Sequence, residues 1–171
     1  SVLMRSAGCI FNDITDKDFD KKVDRNRRGI LVLLQTEKGY QLAAKNYDCF
    51  SSENEDGGNY FPPELWIHLE NQKLYVHYGH GRYGYWCYTF RLKDAAFELI
   101  GFDSSNARGP VISSELSINF LTKKKLSRTN TNADAESGEE VFTETWSDIE
   151  QDQTIKLSEI YDFDELNMYH Y

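Results

Sequence analysis

The stretch that decides the fold is LYVHYGHGRYGYWCYTFRLK, residues 74–93. Residues 74–78 and 85–92 alternate in side-chain type and are rich in aromatic and β-branched residues, a pattern typical of β-strands. The intervening GHGRYG, residues 79–84, has the length of a hairpin loop. Its three glycines permit positive φ angles or a close approach of another group to the backbone. The stretch therefore predicts an antiparallel hairpin.

The second strand of this hairpin divides into two faces, because successive side chains of a strand point to opposite sides. The expected core face carries Trp86, Tyr88, Phe90 and Leu92, and the other carries Tyr85, Cys87, Thr89 and Arg91. Two interpretations of the rings stay open. In the first interpretation, the rings are core residues and cross-strand pairs. In the second, they form an exposed platform for a sugar, peptide or nucleobase. The candidate ligand-binding residues of the second interpretation are His80, Arg82, Tyr83, Tyr85 and Trp66.

Strand-like segments recur along the rest of the chain, with turn residues about every ten positions. The run ILVLLQ, residues 30–35, predicts a strand buried on both faces. Loops are expected over residues 48–63 and 104–110, and a linker over 130–140. Further strands are expected at residues 40–46, 65–70, 96–103, 112–122, 125–131 (an edge strand) and 141–146. We expect a mainly β fold with little helix, in which an antiparallel meander forms a sandwich or a strongly twisted sheet.

Two of these strands have clear face assignments. In residues 65–70, Leu65, Ile67 and Leu69 face one way, and Trp66 and His68 face the other. In residues 96–103, the alternation sets Phe97 and Leu99 opposite Phe102.

The net charge of −9 is concentrated at one end of the chain. Residues 133–171 carry a net charge of −11, and residues 1–132 carry +2. We expect a β domain over residues 1–132, with an irregular lead-in over 1–28, and an acidic C-terminal extension over 133–171 that packs on this domain or trails from it. Such an extension repels phosphate, so we do not expect nucleic acid as a partner. No apolar run reaches the roughly 20 residues that span a bilayer.

Carboxylates at alternate positions near the start of the chain suggest one cation site. Asp16, Asp18 and Asp20 are spaced as in the first part of a calcium loop. Lys21 occupies the place of the turn glycine, and Arg27 occupies the place of the closing glutamate. The match to a calcium loop fails at these two positions, so the alternative to a calcium site at the three aspartates is a solvated loop. The acids of residues 53–56 form a second candidate of the same kind.

The three cysteines, Cys9, Cys49 and Cys87, are widely spaced. No Cys-x-x-Cys pair is present, so a structural zinc site is not expected. The sequence leaves open whether two of them form a disulfide.

The motifs of residues 28–128 resemble a family of exported bacterial proteins, frequent in Bacteroidales, that has no assigned activity. The family motifs are His-x-Gly, Trp-x-Tyr-x-Phe-Arg, Phe-x-Leu-Ile-Gly and Asn-x-Leu-Thr. They correspond here to His77 and Gly79, to Trp86, Tyr88, Phe90 and Arg91, to Phe97, Leu99, Ile100 and Gly101, and to Asn119, Leu121 and Thr122. Members of that family often carry an Asp-x-Asn-x-Asp-Gly segment upstream. Here residues 16–28 lack its glycine, or the segment has been cut away. The resemblance implies a β fold and a periplasmic, outer-membrane-anchored or secreted location.

Three functions remain open at this point. The first is a non-catalytic binding or interaction module of the envelope or secreted fraction, with a protein or glycan ligand at the aromatic and glycine-rich loop. The second is a hydrolase or metal-dependent enzyme that uses His68, His77 and His80. His77 and His80 are three residues apart, which in a strand sets them on opposite faces. The third is a purely structural domain. Because the sequence opens on Ser1, we expect a leader or more protein upstream.

Overall fold

Seven consecutive strands form one antiparallel sheet, and two earlier strands form a separate hairpin. The structure is a computed structural model that describes residues 28–50, 64–134, 139–151, 153–163 and 165–171. The hairpin consists of β1 (Arg28–Thr36) and β2 (Gly39–Phe50). The sheet has the order β3 (Glu64–Glu70), β4 (Lys73–Gly79), β5 (Gly84–Lys93), β6 (Ala96–Arg108), β7 (Val111–Asn119), β8 (Lys124–Asn130) and β9 (Phe142–Asp148).

Every strand of the sheet pairs with its sequence neighbours, so the sheet is a simple meander. Helical structure in the described residues is limited to three short 3-10 turns, Gly81–Tyr83, Leu157–Glu159 and Met168–His170. The expectation of a mainly β, antiparallel fold with little helix is confirmed. Across the part of the chain that the structure describes, no helix is long and apolar enough to cross a membrane.

Tight turns with positive φ angles set the meander. Asn71 and Gln72 join β3 to β4 with φ angles of 49° and 62°, and Asp94 and Ala95 join β5 to β6 with 47° and 64°. Two-residue turns with positive φ at both positions match the right-handed twist of the strands that they connect. Asn and Asp tolerate this conformation better than most residues.

One face of the sheet carries the hydrophobic core. Tyr88 and Phe90 are buried there, as the alternation of β5 predicts. Leu65, Ile67 and Leu69 of β3 pack against the same core. The hairpin of β1 and β2 contributes further buried residues to this cluster, among them Ile30, Val32, Ala44, Cys49 and Phe50.

The C-terminal segment that follows β9 completes the cover of the core face. Asn46 of β2 donates two hydrogen bonds from its side-chain amide, to the carbonyl oxygens of Leu157 (2.8 Å) and Ile160 (2.7 Å). These bonds tie the segment to the hairpin. The segment contributes the buried side chains Ile149, Leu157, Ile160, Phe163 and Met168 to the core.

A β-bulge in β6 changes the predicted faces of that strand. Phe90 pairs with Leu99 and Thr89 pairs with Gly101, which leaves Ile100 as the extra residue. A bulge shifts the side chains that follow it to the other face. Phe102 therefore lies in the core, 1% exposed, together with Leu99. The prediction that Phe102 opposes Leu99 was wrong for this reason.

Two predicted boundaries and one edge-strand assignment were also wrong. Residues 104–108 belong to β6 and not to a loop, because their backbone pairs with β5 and β7 despite their polar side chains. Strand β2 continues to Phe50, beyond the expected start of the loop at residue 48. Strand β8 is not an edge strand, because β9 pairs with it.

The prediction that residues 30–35 are buried on both faces was wrong as well. Ile30 and Val32 are buried, but Leu31 and Leu33 are only partly covered. The strand belongs to a two-stranded hairpin that presents one face to the core.

Candidate functional site

The face of the seven-stranded sheet that points away from the core is called the open face. Cross-strand partners in an antiparallel sheet share a face, so the register defines its central row. This row runs from β3 to β9 as Trp66, His77, Cys87, Asp103, Ser117, Leu126 and Trp146. The tryptophans at its two ends are 63% and 64% exposed.

Rings of β3, β4 and β5 form a continuous band on the open face. The rings of His68 and Tyr75 stack with centroids 4.7 Å apart and an interplanar angle of 5°. The rings of His77 and Tyr85 stack at 5.2 Å and 21°. Trp66 meets His77 edge-on at 6.2 Å, so the three strands are linked ring to ring. The band is held in place by its own contacts and presents ring surface outward.

The environment of His77 favours the neutral imidazole. Burial, and then the nearby His68, lower the pKa of His77 below its usual value. A neutral ring accepts and donates one hydrogen bond each and stacks without bringing charge to the face. His68 has a buried Nδ1 atom for which the described residues offer no hydrogen-bond partner.

A depression of about 180 Å³ opens beside the band, next to Tyr85. Its other polar lining includes Asp103, Glu115, Ser117 and Arg128. The Ser117 hydroxyl donates to the Asp103 carboxylate at 2.6 Å, and Arg128 forms an ion pair with Glu115. The depression thus sets hydrogen-bonding groups of both kinds beside an aromatic ring.

Burial and nearby carboxylates raise two pKa values at this part of the sheet. Burial, followed by the charge of Asp103, raises the pKa of the Cys87 thiol to about 11. Burial also raises the pKa of the Tyr85 hydroxyl, with further contributions from Asp103 and Glu115. At neutral pH Cys87 is therefore a protonated free thiol and a poor nucleophile.

The start of β5 approaches β6 closely enough to require glycine. Gly84 has a φ of 116°, and a Cβ atom there would lie 1.8 Å from the carbonyl oxygen of Ser105. The next residue, Tyr85, pairs with Ser105. The expectation that the loop glycines permit positive φ or close approach is confirmed for Gly84, and for Gly81 with a φ of 56°.

The structure separates the residues of the predicted platform. Tyr85, together with Trp66, lies on the open face. His80 is half-buried, with its ring centroid 4.6 Å from that of Trp86, on the other side of the sheet. Arg82 and Tyr83 are exposed on the 3-10 turn, where the guanidinium lies over the Tyr83 ring at 5.4 Å.

The three histidines of the enzyme hypothesis are not brought together. His68 and His77 share the open face, and His80 packs on Trp86. Within the described ranges, no group of three or more His, Cys, Asp or Glu side chains is arranged to hold a metal ion. The calcium candidates Asp16, Asp18 and Asp20, and the acids of residues 53–56, lie outside the described residues.

Sequence reasoning missed Asp103, Glu115, Ser117 and Arg128. They lie on three different strands, β6, β7 and β8, and come together only through the register. The one signal in the sequence was the strand alternation of each segment, and it does not say which strands become neighbours.

Several curated proteins match short segments of the chain. The mitochondrial 4-hydroxybenzoate polyprenyltransferase of Caenorhabditis elegans is 72% identical over 25 residues, which are 15% of this chain and 7% of that protein. The 4-hydroxybenzoate octaprenyltransferases of Dechloromonas aromatica and Azoarcus sp. are 63% identical over 27 residues (16% and 9%) and 48% identical over 46 residues (26% and 16%).

The chain therefore spans less than a fifth of the length of these curated relatives. No protein-family model matches the chain, and no solved structure matches it. Segments of this length are shorter than the seven-stranded sheet and do not show a family for the chain.

Proposed function

We propose that this protein is a non-catalytic binding module that takes a glycan on the open face of its sheet. The observation that carries the proposal is the ring band. Trp66, His77 and Tyr85 lie side by side on neighbouring strands, and Trp66 and Tyr85 remain 63% and 36% exposed. Exposed rings that lie next to one another are typical of a binding surface, because folding alone does not require them.

The groups beside the band complement a sugar. A sugar ring combines an apolar face with hydroxyl groups around its rim. The ring of Tyr85 suits the apolar face, and the Asp103 carboxylate, the Ser117 hydroxyl and the Arg128 guanidinium supply hydrogen-bond acceptors and donors. Strands β3 and β5 lie about 10 Å apart across the sheet, and Tyr85 is displaced from the row of Trp66 by two residues along the strand. This separation favours an oligosaccharide over a single sugar.

The acidic extension does not decide between a glycan and a protein ligand. In the described residues β9 pairs with β8 and Asp162 and Phe163 are buried, but the other described carboxylates of the extension are exposed. The choice of a glycan therefore depends on the ring band and on the polar groups beside it. The envelope or secreted setting of the proposal follows from the family resemblance of residues 28–128.

A glycan array followed by calorimetry tests the proposal. We expect one or more oligosaccharides to bind, with affinity that rises with chain length until the ligand spans Trp66 and Tyr85. Trp66→Ala and Tyr85→Ala are each expected to weaken binding about tenfold, the usual effect of removing a central aromatic contact. Tyr40→Ala is the matched control, because Tyr40 is 66% exposed on β2, outside the sheet.

Two results would overturn the proposal. The first is the absence of binding to every glycan on the array. The second is a loss of affinity in the Tyr40→Ala variant as large as that in the Trp66→Ala variant, because the interaction would then not involve the open face.

A further inference from the structure

The depression beside Tyr85 has an excess of negative charge. Asp103 and Glu115 line it together with Arg128. The Arg128 guanidinium forms ion pairs with two carboxylates, those of Glu115 and Glu144 (the latter at 3.2 Å). Two carboxylates therefore share the charge of this one guanidinium, and Asp103 adds a further carboxylate to the lining of the depression.

Asp103 is the carboxylate whose charge is least compensated. It lies at the centre of the open-face row, between Cys87 of β5 and Ser117 of β7. In the described part of the chain, no lysine or arginine lies within ion-pair distance of it, and its hydrogen bond comes from the neutral Ser117 hydroxyl at 2.6 Å. Burial is the main cause of the raised pKa values of the neighbouring Cys87 and Tyr85, and the charge of Asp103 raises both further.

Other cations of the open face do not cancel this charge. Arg91 and Lys93 lie at the far end of β5 and pair with Glu98, at 3.5 and 3.6 Å. Lys124, at the start of β8, pairs with Asp148. Each of these cations has a carboxylate of its own and lies away from the depression.

We infer that the open-face site selects glycans that carry no negative charge, uncharged or amine-bearing, and excludes glycans with carboxylate or sulfate groups. Asp103 is the residue that determines this specificity. The inference rests on the proposed function and gives the chemical class of its ligand. An anionic sugar in the depression would meet Asp103 and Glu115 at short range, where the effective dielectric constant is below that of water and repulsion between like charges is strong.

The experiment uses three forms of one oligosaccharide that binds on the array: the neutral form, an amine-bearing form and a carboxylated form of the same length. The wild-type protein is expected to bind the carboxylated form at least about tenfold more weakly than the neutral form, which corresponds to about 1.4 kcal/mol. The amine-bearing form is expected to bind as tightly as the neutral form or more tightly.

Asp103→Asn keeps the shape of the side chain and one oxygen that can accept from the Ser117 hydroxyl, and it removes the charge. We expect this variant to reduce the neutral-to-carboxylated affinity ratio about fivefold or more. Glu37→Gln is the control, because Glu37 is an exposed carboxylate in the turn between β1 and β2. It should leave the ratio unchanged.

A second measurement needs no variant. The Debye length falls from about 10 Å at 0.1 M salt to about 3 Å at 1 M. The discrimination against the carboxylated form should therefore shrink as salt is added to the wild-type protein.

The outcomes separate the inference from the proposed function. If no oligosaccharide binds on the array, or if the chosen one binds in none of its three forms by calorimetry, the proposed function fails. If the carboxylated form binds as tightly as the neutral form, or if Asp103→Asn leaves the ratio unchanged, glycan binding stands and the specificity assigned to Asp103 is wrong.

Discussion

Phe163 joins the C-terminal segment to the core, and its truncation provides a quantitative test of that packing. Its side chain is fully buried. Its ring stacks on Phe50 of the hairpin at 5.2 Å and 9°, and it meets Tyr88 of the sheet at 4.9 Å and 57°. Its backbone forms two hydrogen bonds. The N–H donates to the Cys49 carbonyl at 3.0 Å, and the carbonyl accepts from the Tyr88 hydroxyl at 3.1 Å. Phe163 therefore contacts both layers of the core.

The expected cost of Phe163→Ala follows from these contacts. Replacement of a buried phenylalanine by alanine costs about 3–5 kcal/mol, and each aromatic pair adds about 0.5–1.5 kcal/mol beyond area burial. We expect a loss of about 4–5 kcal/mol. For a chain of this size, this loss corresponds to a fall in Tm of about 8–20 °C. Phe163→Leu keeps most of the apolar volume, so it should cost about 1–2 kcal/mol.

Urea denaturation followed by tryptophan fluorescence, together with thermal melting, measures both values. Tyr161→Ala is the matched control, because Tyr161 lies two residues away and is 58% exposed. It should change the free energy of unfolding by less than about 1 kcal/mol. A loss below about 1 kcal/mol for Phe163→Ala would refute the reasoning, because the segment would then not be part of the core.

Three further predictions concern single residues of the sheet. Gly84→Ala should destabilise the protein by more than about 2 kcal/mol, because Gly84 has a φ of 116° and the new Cβ would meet a carbonyl oxygen of β6. Gly81→Ala should cost about 1–2 kcal/mol, because Gly81 has a φ of 56° but open space around it. Equal melting temperatures of the two variants would contradict this prediction. The pKa of His77 is lowered from 6.5 by burial and by His68, so the unfolded chain binds its proton at a higher pH than the folded protein does. The free energy of unfolding should therefore be highest above about pH 6.5 and should fall as the pH drops from that value towards the folded pKa. In His77→Gln, urea denaturation at a series of pH values should show a weaker pH dependence over this range. An unchanged pH dependence would refute the prediction. The pKa of the Cys87 thiol is about 11, against an ordinary value of 9.0. At pH 8, alkylation of Cys87 by iodoacetamide, followed by mass spectrometry, should therefore be roughly a hundredfold slower in the native protein than in urea. Similar rates in the two conditions would disprove the raised pKa.

The fold class and most strand positions could be predicted because a period of two is a local signal. Alternation in residues 85–92 identified Tyr88 and Phe90 as core residues, and alternation in residues 65–70 did the same for Leu65. These predictions require only that one face of the sheet is buried. They hold whichever strands become neighbours.

The predictions that failed depend on pairing, which a single segment does not reveal. The bulge at Ile100 exists because β6 has one residue more than its partner over that stretch, and it reverses the face of Phe102. Ser104 and Ser105 were assigned to a loop because of their polar side chains. They are 2% and 4% exposed, since β6 has a paired strand on each side and its backbone is satisfied by both ladders. A polar composition therefore predicts a loop only where the segment has no neighbouring strand to pair with.

Residues of the candidate site likewise divide into those that local alternation predicts and those that depend on strand pairing. Trp66 and Tyr85 could be predicted because a large ring opposite a core face stands out in one strand. Asp103, Glu115 and Arg128 could not, because each is an ordinary polar residue until the register brings the three strands together.

The open face differs from one end of the sheet to the other in a way that folding does not explain. Polar side chains satisfy a sheet face in contact with water. On β8 and β9 this face carries the ion pairs of Arg128 and Lys124, and Trp146 is the one large exposed ring of these two strands. On β3 to β5 the same face carries a linked band of rings, although these strands are already held to the core by their buried side. Exposed rings contribute little to the burial that stabilises the fold, and they increase the risk of aggregation. The exposed surface of these rings can still be buried against another molecule. The proposed function is therefore assigned to this end of the sheet and not to the exposed 3-10 turn of Arg82.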